Sequence, residues 1–298
     1  AMLDQTPVQR VRPLPGGVYE VNEAMKADLV SCRYGTHASN LGALIADSLA
    51  TELGVKAYIV DPVVVDELAP VARLSGIPQI PRRSIFHALN QRATARKAAR
   101  RLGRAYEECT LAVAHMGGGT SVGLHERGRV VDVNNALDGD GPFAIERAGT
   151  VPAGDWMRWA LAHQHDPEGL QKMLTGRGGL VAWLGTNDFP AIEAAAAGRA
   201  GSGESKLDGD QCRLLVEAMC YQVSKAIAGL AAYAGGKLDG VVLTGGLAHS
   251  ALVVEEISRR VSFLGPVLVF PGENELEALA AGVRDVLAGE ARALAYEP

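Results

Sequence analysis

Five segments of this sequence carry residues whose types and spacing could do chemistry. The densest is Val113-Ala114-His115-Met116-Gly117-Gly118-Gly119-Thr120-Ser121-Val122-Gly123. Consecutive glycines after an apolar run would leave backbone N–H groups uncovered by side chains, and a concave row of such groups holds phosphate oxygens. Thr120 and Ser121 add hydroxyls. The plainer alternative is a hairpin turn, but a two-residue turn needs fewer glycines. The second segment is Leu243-Thr244-Gly245-Gly246-Leu247-Ala248, in which a strand-like run meets two glycines and then a helix-like run. That order suits a nucleotide lying on glycine backbone against a helix N-terminus. A simple strand-to-helix connection would read the same way.

The other three segments offer charged groups. Asp61-Pro62-Val63-Val64-Val65-Asp66-Glu67 puts a carboxylate at the end of an apolar run. Such a carboxylate can hold magnesium through water or orient an attacking group. Equally, Asp followed by Pro is a common helix start. In Arg82-Arg83-Ser84-Ile85-Phe86-His87-Ala88-Leu89-Asn90, Ser84 could cap a helix with His87 in its first turn. His87 could then donate to charge developing on a moving phosphoryl group, although a lone histidine is more often structural. The segment Asn134 to Gly149 is long, irregular and polar. Its Arg147 could grip a carboxylate or phosphate in two parallel hydrogen bonds, or pair with Glu146 or Asp140 on a surface loop. No G-x-x-x-x-G-K-[ST] and no G-x-G-x-x-G after a first strand occurs, which argues against P-loop and dinucleotide-binding proteins.

The elements around these segments follow from periodicity. Residues 2–21 read as irregular, and Asn22 could cap a short helix over 22–31. Leu41, Leu44, Ile45 and Leu49 recur on one face of a helix over 39–53, closed by Gly54. Short buried strands are expected at 56–61, 110–116, 239–244 and 266–270, and two more across 120–133 around a turn at Arg127-Gly128. Helices are expected over 84–103, 207–234, 247–261 and 275–288. Strands alternating with helices make an α/β architecture. Both glycine clusters fall at carboxyl ends of strands, where such sheets bind ligands.

Composition sets outer limits. The 298 residues are 48% hydrophobic and 21% charged, an ordinary globular balance, and the net charge of −5 does not favour nucleic acid. Arg92, Arg96, Arg100 and Arg104 recur every fourth residue, which reads as a solvated basic face or, alternatively, an anion- or subunit-facing stripe. Cys32, Cys109, Cys212 and Cys220 have neither disulfide-framework nor zinc spacing, so buried reduced thiols are expected. No signal pattern or membrane-length apolar run is evident, which points to the cytoplasm. Ala1 reads as a cloning remnant before a start methionine.

The order of the motifs resembles that of butyrate kinases, in the superfamily of acetate and sugar kinases, Hsc70 and actin. The segments that carry the likeness are His37 to Gly42, Asp61-Pro62, Ser84 to Gln91, Ala114 to Gly119, Asp132 to Gly139 and Leu243 to Gly246. The resemblance spans about residues 12 to 290 and implies a two-lobed actin-like ATPase (ribonuclease H-like) fold with nucleotide between the lobes. Here the lobes would be residues 1–110 and 111–298. It also implies reversible phosphoryl transfer between ATP and butyrate or a related short-chain fatty acid, with Mg2+, in a homodimer or higher homo-oligomer without nucleic acid or membrane. By motif, Gly117, Gly118, Gly119 and Thr120 would lie by the phosphates and Gly245 and Gly246 by the adenosine. Asp61 would work with the metal and position the carboxylate, and His87 would stabilise the phosphoryl group. Arg147 would contact an anion, and Glu275 would match an acidic position near the metal.

One departure bears on activity. Butyrate kinases open on a strand and an Asn-Pro-Gly-Ser-Thr-Ser-Thr-Lys loop, with a Gly-Arg-Gly-Gly segment before the stretch seen here as Arg12 to Gly17. This chain reads Asp4 to Arg10 at that place. The expectation is therefore an incomplete first lobe with an uncovered sheet edge and apolar face. The alternative function is a catalytically inactive nucleotide-binding homologue serving as scaffold or regulator.

Overall fold

The structure is a computed structural model that describes residues 11–31, 33, 40–163, 166–199, 207–273 and 275–297. Of the features above, Cys32, His37 to Ser39 and the first ten residues lie outside that set. Two compact units emerge. The first comprises Ala1–Glu67, His87–Ala93 and Asn274–Pro298, and the second Leu68–Phe86 and Thr94–Glu273.

In the first unit, β1 (Val18–Glu20) pairs antiparallel with β2 (Tyr58–Val60), Val18 opposite Val60. β1 falls in a stretch that reads as irregular, because three residues are too few for an alternation to register. Asn22 caps helix Glu23–Val30 as expected, accepting the Met25 N–H at 3.0 Å. Helix Asn40–Leu53 also forms, with Ala43 and Ala50 buried and Leu41, Ile45 and Leu49 exposed. Helix Glu275–Leu287 lies close to β2: a Cβ on Gly282 would sit 2.8 Å from Val60. The chain end returns to the same unit. Leu294 donates to Val18 at 2.7 Å, and the Tyr296 hydroxyl donates to Asp28 at 2.7 Å while accepting the Arg12 N–H at 3.2 Å.

The second unit is built on a five-stranded sheet of β3 (Thr110–Met116), β4 (Thr120–Glu126), β5 (Arg129–Val133), β6 (Gly240–Gly245) and β7 (Val267–Pro271). The spatial order is β5-β4-β3-β6-β7. β3, β4 and β5 form an antiparallel meander, and β6 and β7 add parallel to β3. The Arg127-Gly128 turn joins β4 to β5 with both residues at positive φ, as a two-residue hairpin requires. β3 and β6 are almost wholly buried, which explains their continuous apolar runs.

Two helices decide how the sheet is covered. Helix Ala88–Arg101 begins four residues later than the serine at 84 would place it. Its buried Ala95, Ala98 and Ala99 cluster with Tyr106, Cys109, Leu111, Val113 and Val242. Arg92 departs from the solvated-face reading: it is buried, whereas Arg100 and Arg104 are exposed. Helix Gly209–Ala231, capped by Asp208, packs on β3 and β4 through Leu215, Val216, Met219, Val223 and Ile227. Among the described residues it is the helix long and apolar enough to cross a membrane by length and composition, and its buried face is that of a core helix. Cys109, Cys212 and Cys220 are free and buried, as expected.

Candidate functional site

In the second unit the glycine run is the connection of a hairpin. Met116 pairs with Thr120, leaving Gly117, Gly118 and Gly119 to turn the chain. The Gly117 N–H is taken by the Gly119 carbonyl at 2.9 Å, so the loop offers two backbone donors and not the expected three. Among the described residues, nothing accepts from the N–H groups of Gly118 and Gly119. None of the three glycines has a left-handed φ. A Cβ on Gly117 would meet nothing nearer than 3.7 Å, and one on Gly118 nothing nearer than 3.6 Å. Neither backbone strain nor packing therefore demands glycine at 117 or 118. What glycine supplies there is backbone open to close approach.

Thr120 sharpens the same point. Its hydroxyl is buried and has no hydrogen-bond partner among the described residues. Leaving such a group unsatisfied costs about 1–3 kcal/mol. Its carbonyl, by contrast, is fixed by the Asn134 side-chain amide at 3.1 Å.

The second glycine pair lies at the matching end of the neighbouring strand, since β6 runs parallel to β3 with Thr244 beside His115. The two glycines differ in kind. Gly245 has φ +88°, and a Cβ there would lie 2.4 Å from the Met116 carbonyl oxygen, so close packing on the hairpin base requires it. Gly246 is exposed, and a Cβ on it meets nothing within 4 Å. The pair does not open a helix directly, contrary to expectation. A short 3-10 turn, Gly246–His249, intervenes, and helix Ala251–Val261 is capped by Ser250, which accepts the Val253 N–H at 3.1 Å. The helix N-terminus is thus already served by its own serine.

The polar segment after β5 is anchored rather than a loose surface loop. Asn134 is buried and accepts the Val122 N–H at 2.7 Å, and its amide also donates to Asp140. Glu146 donates its N–H to the Gly118 carbonyl at 3.0 Å, which sets Arg147 one residue from the glycine loop. Asn187 donates to Glu146 at 2.9 Å. Arg147 meets Glu146 only at 3.8 Å, and its Nε is buried without a hydrogen-bond partner among the described residues. Burial pulls this guanidinium below its ordinary pKa, with the Glu146 charge opposing the shift. Glu273 also lies beside the loop, 3.7 Å from His115 Nε2 and 3.7 Å from where a Gly117 Cβ would be.

The remaining expected residues, Asp61, His87 and Glu275, belong to the first unit. No helix starts at Pro62, which removes the capping explanation for Asp61; the Val65 N–H instead closes a turn on Pro62 at 2.9 Å. Asp61 is 1% exposed and has φ +39°, unusual for a residue with a side chain. Its N–H donates to Gly17 at 2.8 Å, and its carboxylate lies 2.8 Å from Arg92 Nε. His87 is half-buried at the N-cap position of helix Ala88–Arg101, where its carbonyl accepts the Gln91 N–H. Ser84 does not cap that helix. Glu275 is exposed at the start of the last long helix. Among the described residues no group of three or more His, Cys, Asp or Glu side chains could hold a metal by itself. Magnesium commonly takes one or two carboxylates and completes its shell with substrate phosphates and water, so a donor set this small is compatible with it.

Residue type and spacing alone assign no site role to Arg92, Glu67, Asn134, Glu146 or Glu273. Glu67, Asn134 and Glu146 lay inside the segments singled out above, and Arg92 carried a signal of its own: it shares the stripe of Ala88, Ala95 and Ala99, at offsets of four and three, which is the buried side of its helix.

The sequence model of the Acetokinase family matches residues 77–286. Butyrate kinase 2 of Clostridium acetobutylicum is 47% identical over 288 residues, covering 96% of this chain and 78% of that protein. The chain belongs to the acetokinase family. Solved structures similar to this acetokinase-family chain share its fold at low identity. Acetate kinase of Porphyromonas gingivalis superposes with a TM-score of 0.78 at 18% identity, covering 94% of this chain and 77% of the other. A propionate kinase of Francisella tularensis gives 0.72 at 19% identity, covering 90% and 76%. The fold is accordingly the α/β actin-like ATPase fold, and the acetokinase-family chain is a kinase by class.

Proposed function

We propose that this protein transfers a phosphoryl group reversibly between ATP and butyrate or a related short-chain carboxylate, giving an acyl phosphate and ADP with Mg2+. The observation that carries the reading is the set of unclaimed donors in the second unit: Thr120 Oγ1, the N–H groups of Gly118 and Gly119, and Arg147 Nε. All could face anionic oxygen, and one of them sits on Gly118, a glycine that neither packing nor backbone strain requires. When bound, ATP would supply the phosphoryl group, and Mg2+ would shield its charge.

The chain's own residues would have modest but exacting tasks. A carboxylate is already nucleophilic at neutral pH, so no strong base is needed. Alignment and charge neutralisation carry the chemistry instead. Gly118, Gly119 and Thr120 would hold phosphate oxygens, and Gly246 would let the nucleotide approach the backbone beyond β6. Arg147 would bind an anionic oxygen, His87 would donate to the phosphoryl group in flight, and Asp61 would orient the metal and the acceptor. Glu275 is a further metal-side carboxylate on this reading.

The test is direct. Purified protein is incubated with ATP, Mg2+, butyrate and hydroxylamine, and acyl hydroxamate is measured. Butyrate-dependent product supports the reading. Folded protein that gives only background signal across short-chain carboxylates rejects it.

A further inference from the structure

Arg92 lies at the centre of a buried ion cluster that neither the family match nor the site motifs assign. Its Nε is 2.8 Å from Asp61 Oδ1, and its Nη1 donates to Glu67 Oε2 at 2.9 Å. Glu67 Oε1 in turn accepts the Gly16 N–H at 3.0 Å. The side chains of Arg92, Asp61 and Glu67 are 7%, 1% and 8% exposed. A Cβ on Gly16 would fall 2.3 Å from Arg92 Cζ, so the guanidinium fills the place a side chain at 16 would need. Asp61 is also tied through its backbone, its N–H bonded to Gly17 in the same turn.

We infer that Arg92 is a positioning residue that holds the Asp61 carboxylate in its working orientation, with Glu67 and Gly16 fixing Arg92. The inference rests on the role proposed for Asp61. Three observations carry it. Buried ion pairs contribute little net stability compared with apolar packing, so charge kept here calls for another reason. The left-handed backbone of Asp61 is strain that surrounding contacts must hold, and strain of this kind gathers at functional residues. Finally, Arg92 reaches Asp61 and Glu67 through separate nitrogens of one planar group, which a lysine cannot reproduce.

The experiment is a double-mutant cycle of Arg92→Lys and Asp61→Asn on the full chain. It is read by kcat and KM in the hydroxamate assay, by the Mg2+-dependence of ADP affinity in calorimetry, and by thermal unfolding. Arg92→Lys is expected to lower kcat by about ten- to a hundredfold, the size of effect a small misplacement produces. KM for the carboxylate and ADP affinity without Mg2+ should stay within about threefold. The gain in ADP affinity that Mg2+ brings should shrink. In the Asp61→Asn background Arg92→Lys should change kcat little further, because its route of action is gone. Multiplicative losses in the cycle overturn the inference, since they show that Arg92 acts independently of Asp61. If Arg92→Lys does not fold, the near-isosteric Glu67→Gln replaces it in the same cycle, with the same coupled loss expected and the same multiplicative outcome against it. The underlying reading fails separately: wild-type protein without activity, or Asp61→Asn with full activity, removes the proposed role of Asp61 whatever Arg92 does.

Discussion

Replacing Gly118 with alanine separates a glycine kept for ligand approach from one kept for packing. The added Cβ would meet Glu146 Oε2 at 3.6 Å and Cδ at 3.8 Å, both ordinary contacts, and the backbone at 118 is not left-handed. The folded state therefore accepts the methyl group while the unfolded chain loses freedom. Stability should be unchanged or rise by about 0.4–1 kcal/mol, which is about 1–4 °C in Tm for a protein of this size. Nucleotide binding should move the other way. A methyl group beside the Gly118 N–H obstructs a phosphate oxygen approaching it, and a hydrogen bond to a charged group contributes about 1.5–3 kcal/mol. ADP affinity measured by calorimetry should weaken by about ten- to a hundredfold. Gly245→Ala supplies the contrast. Its Cβ would lie 2.4 Å from the Met116 carbonyl oxygen and 2.7 Å from the Met116 nitrogen, at φ +88°. Strand backbone would have to move, at a cost of about 1–3 kcal/mol for overpacking, and the disfavoured backbone adds about 1–3 kcal/mol. If Gly118→Ala binds ADP as tightly as wild type, the loop does not hold phosphate. A loss of stability like that of Gly245→Ala would instead show that Gly118 is structural.

Other perturbations probe the remaining assignments. His87→Ala should lower kcat by about a hundredfold while ADP affinity stays within about threefold; equal losses in both contradict transition-state stabilisation. Arg147→Lys keeps the charge but removes the Nε donor that is buried without a hydrogen-bond partner among the described residues, and kcat/KM should drop at least about tenfold. Unaltered kinetics would make Arg147 a loop residue only. Tyr296→Phe deletes the hydroxyl shared with Asp28 and the Arg12 N–H, so chemical denaturation should show a loss of about 1–2 kcal/mol with kcat preserved. Burial pushes the Cys220 thiol up to about 12 and raises Cys109 and Cys212 as well. A raised pKa means less thiolate at pH 8, so thiol reagents should label these three only as the protein unfolds, and prompt labelling of native protein would contradict their burial.

Much of the fold was legible because its signals are local. The β3, β6 and β7 segments showed as short apolar runs, the β4–β5 hairpin as a glycine turn between β-rich stretches, and the Asn22 end as a side-chain cap. Strand and helix periods are properties of a few consecutive residues, so composition and spacing reveal them. The three-residue strand β1 escaped because its partner β2 lies about forty positions away and contributes nothing to its local pattern.

The candidate site divides along the same line. The sequence alone marked the glycine runs, Asp61, His87 and Arg147 as capable of phosphate or carboxylate chemistry, because residue type and order suffice for that. Which glycines are free to receive a ligand was a tertiary matter. Gly117 spends its N–H on Gly119, Gly245 is filled by the Met116 backbone, and Gly118 and Gly246 stay open. Arg92 makes the case most plainly. Spacing put it in a basic row that reads as a solvated face or as an anion- or subunit-facing stripe, yet folding buried it between Asp61 and Glu67, thirty-one and twenty-five positions away in sequence. A charge is stable in the interior only when opposite charge and hydrogen bonds meet it there, and which groups arrive is set by how distant segments pack.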